Sequence, residues 1–200
     1  MRPEAASPLA ACRYHDREMG RVAVKLLPSQ YYVTDQGTAM VTVLGSCVAA
    51  CLHDPYVQVA GMNHFMLPDI GEGGPERPDA MRYGTHAMDV LLRELQAAGA
   101  RRERLQAKVF GGAAVLPNMT ALNIGERNAE FVLRYLRRER IAVQAQDLGG
   151  TRARRVAFLP ETGKVVVRRL RDQGEIESAA ALQAAAAARG LQAALRLGAA

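Results

Sequence analysis

The stretch "VTVLGSCVAACLHDPYVQVAGMNHFMLP", Val41 to Pro68, holds two of the chain's three cysteines and two of its four histidines. A thiol and an imidazole brought together can do nucleophilic chemistry. The thiolate attacks, and the imidazole takes and returns the proton. Such chemistry needs a nucleophile within reach of a base, a donor for the developing oxyanion, and a group that orients the base. Cys47 and His64 lie on two apolar runs, residues 48–53 and 57–66, on either side of Asp54-Pro55. Asp followed by Pro suits the first two positions of a type I turn. A tight hairpin turning over Asp54 to Val57 pairs Cys47 directly with His64, on one face of the ladder. Gly45-Ser46 just before the cysteine lets the backbone bend and expose its amide. The Cys47 amide is the first candidate oxyanion donor and the Asn63 side chain a second. The alternative is that Cys47 is a small buried hydrophobe and His64 a structural histidine. Cys51 and His53 follow on the same strand, but C-x3-C-x-H-x10-H matches no common zinc spacing. No metal or organic cofactor is expected.

The elements that carry these residues follow from periodicity. Residues 21–27, 38–44, 48–53, 57–66, 105–110 and 141–146 read as strands. "RRVAFLPETGKVVVRRL" reads as a hairpin turning at Pro160 to Gly163. A helix is expected from about Ala80 to Ala98, with Met88, Leu91, Leu92 and Leu95 in one stripe and Gly99 ending it. A second covers 124–140, with Phe131, Val132, Tyr135 and Leu136 inward and Arg134, Arg137 and Arg138 toward water. "DIGEGGPERPDA" reads as a loop. Strands outnumber helices and adjacent strands look hairpin-linked. The fold class is therefore α+β, a core rich in antiparallel pairing with helices beside it. Residues 1–20 read as a flexible arm, 21–170 as a single domain, and 171–200 as an alanine-rich tail with little side-chain area to bury.

Composition narrows the class. Of 200 residues, 49% are apolar and 23% charged, as in a soluble globular protein. No apolar run approaches the roughly 20 residues of a membrane helix. The start lacks a secretory h-region, and three cysteines fit a reduced cytoplasmic setting. The net charge of +6 invites nucleic acid, but "RYLRRER" and "RARR" carry no interleaved aromatics and match no binding motif. They read as solvated faces, or as attraction to an acidic protein partner.

"LGSCVAACLHDP", "GMNHFMLP", "RYGTHAMDVLLREL", "AKVFGGA", "IGERNAEFVLRYL" and "DLGGTRARRVAFLPETGKV" resemble, in order, the successive blocks of the CheD family, the bacterial chemoreceptor glutamine deamidases. The resemblance runs from about Arg21 to Arg169. It implies a β-sandwich core flanked by helices, like that of deamidating bacterial toxins, and a Cys-His-Thr site without cofactor. Cys47 matches the family's cysteine and His64 its histidine. The family's threonine stands six residues before the cysteine, where this chain has Val41; Thr42 is one residue later. On an unbroken strand Thr42 points away from the face that Cys47 uses. A bulge near Gly45 would bring Thr42 in, and otherwise the Ser46 hydroxyl or a carbonyl must orient the imidazole. Thr42 is the expected third member. The implied substrates are glutamines in the cytoplasmic domains of methyl-accepting chemotaxis receptors, and the implied partner is the phosphatase CheC. A non-catalytic adaptor that binds receptors or CheC is the alternative.

Overall fold

The computed structural model describes residues 12–68, 83–114 and 124–171. The strands are β1 (Arg13–Asp16), β2 (Arg21–Lys25), β3 (Gln30–Thr34), β4 (Ala39–Leu44), β5 (Val48–Asp54), β6 (Val59–His64), β7 (Gln106–Gly111), β8 (Ala142–Leu148), β9 (Arg154–Leu159) and β10 (Lys164–Arg169). The helices are α1 (Gly84–Ala97) and α2 (Ile124–Arg138). The strands form two five-stranded sheets, ordered β1-β2-β4-β9-β10 and β3-β6-β5-β7-β8. Pairing is antiparallel except for β2 with β4 and β7 with β8. This is the α+β sandwich expected from the sequence.

Three apolar layers follow from strand alternation. Val24, Leu26, Met40, Leu44, Ala49, Met62 and Phe158 fill the space between the sheets. Val48, Ala50, Leu52 and Phe65 face the other way and pack under α1 and α2. Ala23, Ala39, Val41 and Ala157 form a third cluster on the far face of the first sheet. All residues of β5 and β6 are buried. Strands covered on both faces read as continuous apolar runs, which is how these two appear in the sequence. The α1 stripe Met88, Leu91, Leu92 and Leu95 is buried as expected, and the helix gives way at Gly99, whose φ is 104°. On α2, Val132, Tyr135 and Leu136 are buried, while Phe131 meets Phe65 edge-on at 5.8 Å.

Several details depart from expectation. β1 and β3 have no counterpart in the periodicity reading. β1 is short and polar, and it lies within the stretch expected as an arm. The loop expected at residues 69–80, the start of α1 and the tail beyond 171 fall outside the described residues. The β5–β6 connection is a four-residue loop, Pro55 to Gln58, not a two-residue turn. Asp54 Oδ1 accepts from the Tyr56 amide at 3.0 Å, and Gln58 sits at φ 56° with its side chain donating to the Pro55 carbonyl at 2.9 Å. Asp54 therefore pairs with Val59, Cys51 with Met62, and Val48 with Phe65. This register places Ala49, not Cys47, opposite His64. The slip is two residues, so parity is kept and Cys47 and His64 still share a face as diagonal neighbours.

Candidate active site

Cys47 sits where the chain crosses from one sheet to the other. β4 ends at Leu44 in the first sheet and β5 starts at Val48 in the second, so Gly45-Ser46-Cys47 is a corner. Its three carbonyls are all held. The Ala113 amide donates to Gly45 O at 2.9 Å and the Gly112 amide to Cys47 O at 2.8 Å. Asn128 Nδ2 donates to Ser46 O at 2.9 Å. The double glycine after β7 makes this possible. Gly111 and Gly112 have φ of 111° and 69°, and a Cβ on Gly111 would stand 2.1 Å from the Cys47 carbonyl oxygen. Behind them, the Gly149 amide donates to Gly111 O at 2.9 Å and the Ala114 amide to Gly150 O at 2.8 Å. The buried Arg154 guanidinium fixes that second loop, donating to Asp147 Oδ1 at 2.7 Å and to the Gly149 carbonyl.

His64 ends β6 and is fully enclosed, 1% exposed. Its Nδ1 lies 2.8 Å from Thr42 Oγ1, and Thr42 Oγ1 lies 2.8 Å from the Leu26 carbonyl. A carbonyl only accepts, so the threonine hydroxyl donates to Leu26 and accepts from His64. Nδ1 therefore carries the proton. Nε2 is left with its lone pair and has no protein partner among the described residues. Thr42 reaches the ring without any bulge. It stands in the opposite sheet from His64 and points inward between Met40 and Leu44, across the sandwich seam. The parity objection assumed one continuous strand from Thr42 to Cys47, and the corner at Gly45 removes it. Val41 belongs to the outer cluster instead.

Burial governs the electrostatics. It pushes the Cys47 thiol up to about 11, opposed weakly by its own backbone amide. It pushes the His64 imidazole down to about 3, opposed by the Leu26 carbonyl. Near neutral pH the resting pair is thus thiol and neutral imidazole. The ring is a neutral imidazole whose Nε2 lone pair has no protein partner among the described residues, and burial opposes its protonation in the resting protein.

The other sequence candidates lie elsewhere. Asn63 faces the helices: its Oδ1 accepts from the Ala50 amide at 3.0 Å and its Nδ2 donates to Ala87 O at 3.2 Å. Neighbours on a strand point to opposite faces, so a residue beside His64 cannot serve its site. Cys51 is buried deeper along β5, and burial raises its thiol further than that of Cys47. Asn128 and Arg154 were not singled out by the sequence reading. Asn128 had a legible signal: with Val132, Tyr135 and Leu136 it stands at i, i+4, i+7 and i+8 on the inward stripe of α2, a polar residue where an apolar one belongs.

The family model described as CheD chemotactic sensory transduction matches residues 66–169. A curated protein of Burkholderia orbicola (strain MC0-3), "Probable chemoreceptor glutamine deamidase CheD", is 56% identical over 181 residues, covering 89% of this chain and 73% of that protein. A protein of the same name from Cupriavidus metallidurans is 56% identical over 175 residues, covering 86% of this chain and 80% of its own length. The "CheD 1" protein of Burkholderia thailandensis is 55% identical over 183 residues, with 89% and 78% covered.

Proposed function

The chain belongs to the CheD family, and from that premise we propose that it is a chemoreceptor glutamine deamidase with Cys47 as nucleophile, His64 as acid–base and Thr42 as orienting group. The substrate class comes from the names of its relatives. The observation that supports the site is the Thr42–His64 contact at 2.8 Å, which occupies Nδ1 and leaves Nε2 without a protein partner among the described residues.

An amide is a weak electrophile, so the reaction needs a strong nucleophile and a protonated leaving group. His64 Nε2 takes the thiol proton as Cys47 Sγ attacks the glutamine carboxamide carbon. The carbonyl oxygen becomes an oxyanion, and the Cys47 N–H donates to it. The imidazolium then gives its proton to the departing nitrogen. The C–N bond breaks, ammonia leaves, and a thioester joins the substrate to Cys47. Water attacks the thioester while His64 takes its proton. The C–S bond breaks, the thiol is restored and glutamate remains. Thr42, held by Leu26, keeps Nδ1–H in place, so the same nitrogen serves as base and acid throughout.

The reading extends to a single deamidase domain that takes in β1 together with residues 21–170, acting in the cytoplasm on receptor cytoplasmic domains, with CheC as a regulatory partner. The test is to incubate a receptor cytoplasmic region with the protein and with Cys47→Ala, mapping peptides for glutamine converted to glutamate and measuring binding in parallel. Conversion by the unchanged protein, lost in Cys47→Ala with binding retained, supports the enzyme. Binding with no conversion by either replaces it with a receptor-binding adaptor.

A further inference from the structure

The Ser46–Cys47 peptide carries the nucleophile's own amide, the oxyanion donor invoked above. Its direction is set from outside the corner. The amide and carbonyl of a trans peptide are coplanar and point opposite ways, and no described peptide bond is cis. Asn128 Nδ2 donates to Ser46 O at 2.9 Å. Drawing that carbonyl toward α2 turns the Cys47 N–H away from α2. Among the described residues no main-chain carbonyl accepts from that N–H.

The same nitrogen donates to Met66 O, also at 2.9 Å. Met66 stands opposite Cys47 in the observed register, one step beyond the Val48–Phe65 pair. One side-chain amide thus ties the corner to the facing strand at the level of the nucleophile and uses both of its N–H donors to do so. The orientation of the amide group is settled by its neighbours, since two carbonyl oxygens can only be met by the nitrogen end. The other end is left over: Asn128 is 0% exposed, and no protein donor among the described residues reaches Oδ1. A buried orphaned acceptor lowers stability, and such breaches of local satisfaction collect at functional sites.

We propose that Asn128 is a positioning residue for the deamidation: by holding the Ser46 carbonyl it aims the Cys47 N–H at the oxyanion formed on the attacked glutamine. The assignment rests on the reading of Cys47 as nucleophile. It separates two properties of the corner. Placement of the sulfur is secured by the Gly112 and Ala113 amides, while the direction of the N–H depends on Asn128.

Two rates tell these apart. Deamidation develops an oxyanion, whereas alkylation of Cys47 by iodoacetamide is a displacement at saturated carbon and develops none there. Asn128→Ala is expected to lower kcat at least about tenfold, with KM for the receptor region within about threefold and the Cys47 alkylation rate within about twofold. Should that variant fail to fold, Asn128→Ser, which keeps one donor, is read in the same way. A kcat within about twofold of the unchanged protein overturns the assignment. So does a fall in alkylation that matches the fall in kcat, because Asn128 would then place the sulfur instead. Absence of any Cys47-dependent conversion by the unchanged protein removes the deamidase reading and this assignment together. Conversion by the unchanged protein that proceeds within about twofold of the same kcat in the Asn128 variants removes the assignment alone.

Discussion

Thr42, His64 and Leu26 form a short relay in which each polar atom has one role, and that makes the threonine's contribution measurable. Thr42→Val keeps the shape but leaves Nδ1 and the Leu26 carbonyl unpaired. It should lower kcat about tenfold to a hundredfold, the scale of a disturbed acid–base group, while Thr42→Ser stays within about threefold of the unchanged protein. Equal rates in Thr42→Val and the unchanged protein would remove Thr42 from the site. The buried imidazole also links stability to pH. Folded His64 stays neutral down to about pH 3, against an ordinary value of 6.5. Between those values the unfolded chain binds a proton that the folded chain refuses. Stability is therefore fully present above about pH 6.5 and falls on acidification by roughly 1.4 kcal/mol per pH unit from this group. Unfolding free energies from urea titration should drop more between about pH 6.5 and pH 4.5 for the unchanged protein than for His64→Leu, by up to that amount per unit. Parallel slopes would show that His64 is protonated in the folded state.

At the scale of elements, the corner between β4 and β5 is shaped by the glycine turn after β7. A Cβ on Gly111 would overlap the backbone carbonyl of Cys47, an atom that cannot swing aside, and the φ of 111° is itself unfavourable for any side chain. Gly149 is the control: its φ is 74°, but nothing stands within 4 Å of where its Cβ would be. Gly149→Ala should cost about 1–2 kcal/mol from strain alone and keep kcat. Gly111→Ala should cost more, and its folded fraction should lose kcat at least about tenfold because the nucleophile is displaced. A Gly111→Ala enzyme as active as Gly149→Ala would mean that the corner is not held from β7. The contrast also explains what could be read in advance. The α1 stripe, the inward face of α2 and the doubly buried runs of β5 and β6 were legible, because periodicity and burial leave their mark in residue type. The β5–β6 register was not, because Asp54-Pro55 opens a two-residue and a four-residue connection equally well. Parity survived the error because the slip was even. The facing of Asn63 was legible from alternation with His64 and was misread.

For the whole molecule, the site exists only because two sheets pack face to face. In the proposed site the Thr42 hydroxyl comes from β4 in one sheet, His64 from β6 in the other, and Cys47 from the corner that joins the two sheets. Sequence spacing alone could not show this, since residues 42 to 47 look like one strand until the corner at Gly45 is seen. Tertiary packing thus turned an apparent departure from the family pattern, Val41 where a threonine was expected, into an arrangement with a threonine hydroxyl on the imidazole. No helix among the described residues is long and apolar enough to cross a membrane. If Cys47 forms a thioester at this seam, hydroxylamine intercepts it. Added during reaction with a receptor cytoplasmic region, it competes with water for a thioester and converts the acyl group to a hydroxamate. Hydroxamate is expected at the same receptor positions that otherwise become glutamate, with both products absent in Cys47→Ala. Glutamate formed at an undiminished rate with no hydroxamate, or formed by Cys47→Ala, would contradict a thioester on Cys47.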